Sequence, residues 1–250
     1  MSAKFNEKYF TTLLLGLSLC LAAPALMAQA DDLYEYQREF IWGVSKNTNS
    51  GLIAGVAGKI SRKTGKNQFQ TFGLEIVNVK DPNEIRRPSL SGNTYIYRKS
   101  NHLFSIRPQY GREWVLFKKA PQQGVQVNAI LAGGPTLGVV MPYYVQFAEG
   151  SSNTPVIIPY TTPFEIRDDK IIGPGPYLRG IREGAVQLKP GVNIKASLAF
   201  EFGTFKNDVT GFEAGFQLEA FTEKIPIVMS ATNRQIYPSA FIMLFYGSRK

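Results

Sequence analysis

The sequence predicts an all-β chain, and within that class an antiparallel transmembrane β-barrel of about 8–10 strands with one long outer loop. Three observations carry the prediction. Alternating runs with a period of two recur from residue 38 to residue 247, with almost no helical periodicity. The links between those runs are short on one side and long on the other. Two of the runs are also at least as long as a tilted membrane strand of about 9–11 residues.

Each element follows from its own pattern. REFIWGVSK (38–46) sets Phe40, Trp42 and Val44 in phase, although Ile41 interrupts the polar face. In 51–62 Leu52, Ala54, Val56 and Ile60 alternate with Gly51, Gly55, Lys59 and Ser61, and in 68–79 Phe72, Leu74 and Ile76 oppose Gly73 and Glu75. HLFSIRPQ and REWVLFKK read as two strands about a tight turn at Tyr110-Gly111. The runs 124–133 and 136–147 read as two more, about a turn at 134–135. GVNIKASLAFEFG (191–203) and TGFEAGFQLEAFT (210–222) are the most regular, and SAFIMLFYG (239–247) is apolar on both faces.

Taken in order as ten strands, the short links 63–67, 110–111, 134–135 and 204–208 share one side. The long links 80–101, 148–189 and 223–238 share the other, with two short links there at 47–50 and 120–123. Outer-membrane barrels show this asymmetry and use even strand numbers, so the parity favours ten, with eight if one weak hairpin is dropped. The link 148–189 carries Pro155, Pro159, Pro163, Pro174 and Pro176 and cannot be a central strand. Within it GPGPYLRGIRE (173–183) reads as a turn followed by one helical turn that folds over or into the barrel mouth.

Alternation alone does not say whether an apolar face meets lipid or a protein core. Strand length and polar faces that mix charge with glycine, alanine and serine favour lipid outside. Val192, Ile194, Leu198, Phe200 and Phe202 then face lipid, while Lys59, Glu75, Lys195, Glu201, Glu213 and Glu219 point into the lumen. Charges held there need partners, which predicts lumenal salt bridges. A turn pairing Gly203 with Val209 sets Lys195 opposite Gln217, with Glu219 diagonal and within reach. Tyr143, Tyr144, Trp42, Trp114, Phe245 and Tyr246 fit aromatic girdles. Eight to ten strands enclose side chains or at most a small ligand, since open channels need far more.

Residues 1–30 read as an export signal, leaving 31–250 as the barrel. Lys4 and Lys8 precede the apolar run TTLLLGLSLCLAA (11–23), and AQA (28–30) supplies a cleavage site after Ala30, with Ala28 the alternative. The only cysteine, Cys20, leaves with the signal, which excludes disulfides and thiolate chemistry in the product. Loss of Lys4, Lys8 and Glu7 takes the formal charge from +9 to about +8. A basic exported chain is suited to anionic lipid and lipopolysaccharide and not to nucleic acid.

Catalytic signals are sparse. His102 is the single histidine, with Ser100 and Ser105 beside it in sequence but no G-x-S-x-G elbow. Asp168-Asp169 lacks the spacing of a calcium loop, and no cofactor motif occurs.

NTYIYRKSNHLFSIRPQYGREWVLFKKAPQQGVQVNAILAGGPTLGVVMPYY (93–144) and PYLRGIREGAVQLKPGVNIKASLAFEFG (176–203) resemble a Bacteroidetes family of outer-membrane β-barrel proteins. The resemblance implies a monomeric or complex-associated barrel and carries no catalytic or binding residue. Unlike barrels that stop at an aromatic residue, this chain continues past Phe245-Tyr246 with Gly247-Ser248-Arg249-Lys250.

The function expected is a structural or accessory role in an envelope secretion or assembly complex, in the outer membrane of a Gram-negative bacterium. The alternatives are a small-solute or lipid-binding barrel, and a lipid-modifying enzyme using His102.

Overall fold

Eight strands close on themselves, which leaves no unpaired edge and so meets the condition for a sheet to stand in hydrocarbon. The computed structural model describes residues 36–118, 124–148, 154–160, 168–202, 208–229 and 233–250. The expected export signal, with its cut after Ala30, lies outside the described residues. The first strands are β1 (Arg38–Asn47), β2 (Gly55–Gly65) and β3 (Gln68–Val79), followed by a hairpin of β4 (Ile85–Pro88) and β5 (Thr94–Tyr97). β6 (Asn101–Phe117) and β7 (Gln126–Pro142) return to the barrel. Then come β8 (Tyr144–Phe147), β9 (Val156–Pro159), β10 (Ile171–Pro174) and a helical turn α1 (Arg179–Arg182). The wall is completed by β11 (Gln187–Phe202), β12 (Asp208–Ile225) and β13 (Arg234–Arg249). Around the circumference the order is β1-β13-β12-β11-β7-β6-β3-β2, every neighbour antiparallel.

The barrel has eight strands and not the ten expected from parity, and no hairpin is lost. Tyr110-Gly111 and Gly134-Pro135 are not turns; each lies inside one continuous strand of 17 residues, β6 or β7. These glycines serve close approach of neighbouring strands. A Cβ on Gly111 would sit 2.5 Å from the Leu131 carbonyl oxygen, and one on Gly134 would sit 2.2 Å from that of Pro108. The two prolines donate no N–H to the ladder. The β6–β7 pairing lapses between Ile106–Leu137 and Tyr110–Gly133 and resumes in the same register. There the Asn193 side-chain amide donates to the carbonyls of Gly134 and Pro135, at 3.1 and 3.0 Å.

Both fusions together keep the long links at one end, the loop end. They move the link between β6 and β7 to the other, the turn end. Leu52 and Ile53 lie exposed in the β1–β2 link and not in a strand. Among the expected girdle residues Tyr143 and Tyr144 are buried at the loop end and Phe245 is buried in the lumen, while Trp42 and Tyr246 do face out, ring edge to face. Ile41, which interrupted the polar phase, packs inside the barrel in an apolar cluster with Ile130, Phe241 and Met243.

The outer wall is apolar and the lumen polar, the reverse of a soluble barrel. Val192 is 62% exposed and Leu244 63%, whereas Arg107 is 1% exposed and Glu213 not at all. Phe200 and Phe212 stack face to face across β11 and β12 on the outside, with centroids 4.8 Å apart.

Gly134→Val is expected to overpack the β6–β7 contact and cost about 1–3 kcal/mol, read as a lower urea midpoint for the folded form in detergent. Gly58→Ala, where an added Cβ meets nothing within 4 Å, should leave that midpoint unchanged.

Candidate functional site: the lumenal charge network

The candidate site is built by strand alternation. A continuous β6 turns Ser105, Arg107, Gln109 and Glu113 inward; β11 adds Asn193, Lys195, Ser197 and Glu201, and β12 adds Glu213, Gln217 and Glu219. Lys59 enters from β2, Glu75 from β3, Glu39 from β1 and Arg249 from β13. Among the described residues the lumen thus holds six carboxylates and four cations. With too few cations for one-to-one pairing, three of them bridge two carboxylates each.

Arg107 makes the central bridge. Its Nε and Nη2 donate to the two oxygens of Glu219 at 2.9 and 2.7 Å, a fork matched to a carboxylate. Its Nη1 lies 3.7 Å from Glu75 and donates to Gln217 Oε1 at 3.2 Å. Lys195 Nζ then joins Glu75 at 2.7 Å to Glu213 at 3.2 Å. The result is one chain, Glu219–Arg107–Glu75–Lys195–Glu213, running across the lumen from β12 through β6, β3 and β11 and back to β12. Hydroxyls add a donor to two of the carboxylates, Ser105 Oγ to Glu219 at 3.1 Å and Ser197 Oγ to Glu213 Oε1 at 2.7 Å.

Two further groups flank this chain. Lys59 Nζ binds Glu113 Oε2 at 2.7 Å, and Asn128 Nδ2 donates to Glu113 Oε1 at 2.6 Å. At the turn end Arg249 bridges Glu39, at 2.9 Å, and Glu201, with its guanidinium over the Tyr36 ring at 4.1 Å. Glu39, Arg107, Glu113 and Arg249 were not among the sequence candidates. The signal for Arg107 and Glu113 is their shared inward parity with Ser105 and Gln109, which a turn placed at 110–111 conceals. The register does pair Lys195 with Gln217. Glu219, however, is held by Arg107, and Lys195 reaches Glu75 on the facing wall instead.

Apolar layers close the lumen around these charges. Val77, Val79, Leu103, Val140, Phe221, Ile225 and Tyr237 form one cluster toward the loop end, capped by Ile227 and Val228 of the β12–β13 link. That link is tied down by hydrogen bonds from Ser100 N to Ile227 O at 2.9 Å and from Met229 N to Arg98 O at 2.8 Å. Between Lys195 and Arg249 lies the second cluster, with Ala199, Phe241, Met243 and Phe245. Among Lys59, Glu75, Gln109, Lys195 and Glu213 a cavity of about 20 Å³ remains, room for about one water. Glu213 Oε2 has no hydrogen-bond partner among the described residues.

His102 stands apart from the network. It has the outward phase of β6, yet it is buried, because the segment before α1 lies over the outer wall. The Tyr177 ring packs on it at 4.2 Å and meets Phe104 at 5.9 Å. Ser105 is on the opposite face of the strand, bonded to Glu219, so strand geometry separates it from His102. Ser100 Oγ has no hydrogen-bond partner among the described residues. Lys99, at the loop end outside the barrel strands, is buried against Glu84; burial pushes its ammonium below the ordinary lysine range while Glu84 acts to raise it.

No protein-family model and no curated protein matches the chain. Among solved structures it is similar to Ail, the attachment invasion locus protein of Yersinia pestis, with a TM-score of 0.39 and 11% identity over 86% of this chain and 99% of that one. It is also similar to the N-terminal β-barrel domain of OprF from Pseudomonas aeruginosa, at 0.34 and 10% over 86% and 98%. Neisserial surface protein A gives 0.31 and 11% over 86% and 95%. Likeness at this level transfers no ligand, activity or family membership. The fold is a small transmembrane β-barrel of the outer-membrane type on its own closed sheet, apolar wall and ionic lumen.

Lys195→Met leaves Glu75 and Glu213 buried in the lumen without their common cation. It is expected to cost about 3–5 kcal/mol, read as loss of urea resistance of the folded barrel. The double variant Arg107→Met/Glu219→Met should lie closer to wild type than Glu219→Met alone, because the single change leaves a buried cation short of a partner.

Proposed function

We propose that this chain is an accessory or structural barrel of a Gram-negative outer membrane, exported by a cleaved signal and serving an envelope secretion or assembly complex. The observation that carries the reading is the division of the molecule into a filled lumen and a built loop end. Among the described residues, bridged ion pairs and apolar layers fill the lumen around a cavity the size of one water, which speaks against a solute path. What remains for recognition is the outside.

At the loop end the links are themselves folded. β8 is the centre of a three-stranded sheet with β9 and β10, and the β4–β5 hairpin stands beside it. Tyr95, Tyr143, Val145, Tyr160 and Ile171 form their common core. A preformed surface binds with little ordering cost, which suits a docking role. Resemblance of 93–144 and 176–203 to Bacteroidetes outer-membrane barrels accords with the same reading. The apolar wall is suited to outer-membrane lipid, and exposed lysines and arginines at the loop end, among them Arg86, Arg87 and Arg182, are suited to lipopolysaccharide phosphates.

The test combines location with conductance. The native protein is expected in the outer-membrane fraction, migrating differently in detergent gels before and after heating, and silent in planar bilayers. Discrete conductance steps from the purified folded form would overturn the filled-lumen reading, and recovery in the soluble periplasm would overturn the membrane reading.

A further inference from the structure

The outer wall carries a feature that neither the lumen nor the loop end explains. The ladder registers place Arg38 of β1 opposite Arg62 of β2, Arg62 opposite Gln70 of β3, and Gln70 opposite Arg112 of β6. All four positions have the outward phase, and the three arginines are exposed. Lys250, also exposed, exchanges backbone hydrogen bonds with Arg38 on the other side, at 2.9 and 2.8 Å, and extends the row. The next outward row along the same four strands, toward the membrane, is Phe40, Ile60, Phe72 and Tyr110. Arg38 and Arg62 therefore stand at the turn-end margin of the lipid-facing belt, while on β6 the outward face continues past Arg112 with Trp114 and Leu116.

Among the described residues no carboxylate pairs with the three arginines. Every outward position described on β1, β2, β3 and β6 is apolar, uncharged polar or cationic. This contrasts with the lumen, where every cation has at least one carboxylate. Arg38 and Arg62 are directly opposed on adjacent strands, about 5 Å apart at Cα, and like charges so placed repel. An anion between them turns that repulsion into attraction. Gln70 is already engaged, donating to the Tyr110 hydroxyl at 2.8 Å, which holds the polar row against the aromatic one below it.

We propose that this row binds the phosphodiester headgroups of anionic phospholipid in the leaflet at the turn end. Guanidiniums take phosphate oxygens in pairs through their fork, and their aliphatic stems lie along apolar surface while the charge stays at the interface. Acyl chains of the same lipids then cover Phe40, Ile60, Phe72 and Tyr110. The acidic surface of the leaflet adds attraction for every arginine that stands within a Debye length of it.

The inference rests on the membrane reading above, and its test separates the two. The full-length exported protein is reconstituted in mixed bilayers of phosphatidylglycerol and phosphatidylcholine, extracted gently, and the lipid it retains is read by native mass spectrometry. Wild type is expected to retain phosphatidylglycerol preferentially, and each of Arg38→Gln, Arg62→Gln and Arg112→Gln to lower that preference by about fivefold. Lys46→Gln, outward on β1 near the loop end, should leave it unchanged. The inference is overturned if the triple variant inserts and shows the same heat-dependent gel shift as wild type yet keeps the full preference, or if wild type shows none. Failure of wild type to enter either lipid would overturn the membrane reading and this inference with it.

Discussion

The constraint on which this structure depends is that a closed sheet in hydrocarbon must keep its charges inside and satisfy them there. Six carboxylates and four cations lie in the lumen almost entirely out of solvent, so water does little to neutralise them. Bridging is the solution adopted: Arg107, Lys195 and Arg249 each serve two carboxylates, and Ser105, Ser197 and Asn128 supply further donors. Such a network adds little net stability over an apolar filling, but removing one member is costly. Its contribution is to tie a particular strand register to a particular set of facing side chains.

The alternation of faces was largely legible in the amino-acid sequence, and the places where it was not have a physical cause. GVNIKASLAFEFG and TGFEAGFQLEAFT show their two faces directly, because glycine and proline fall where they do not imitate turns. Around Tyr110-Gly111 and Gly134-Pro135 they do imitate turns. A parity test separates the cases. A two-residue hairpin at 134–135 would pair residue 133 with residue 136 and so move the outward face from odd to even positions. Leu131 and Leu137 are both odd and both exposed, as one continuous strand requires. In β6, Phe104, Ile106 and Trp114 keep one parity across Gly111 in the same way. Glycine there marks close strand approach, and only phase distinguishes that from reversal.

The lumenal partners were less legible than the lumenal residues. Lys195 on β11 and Glu75 on β3 are 120 positions apart and not on adjacent strands. Their meeting depends on closure, shear and diameter together, which no local pattern contains. The loop end is similar. The proline-rich link reads as irregular because its strands are four residues each and alternation needs more length to show. Burial of His102 beneath Tyr177 depends on where that link comes to rest.

Across the lumen, Arg107 joins β6 to β12 and Lys195 joins β11 to β3, pairs of strands three places apart around a ring of eight. These links run as spokes and not along the rim. A hollow barrel of this size can flatten under lateral pressure, but a spoked one resists becoming oval, because flattening would stretch one ion pair while crowding another. When the surrounding bilayer thickens or thins, the molecule must answer by tilting as a rigid cylinder and by drawing lipid to its wall, with its cross-section held constant.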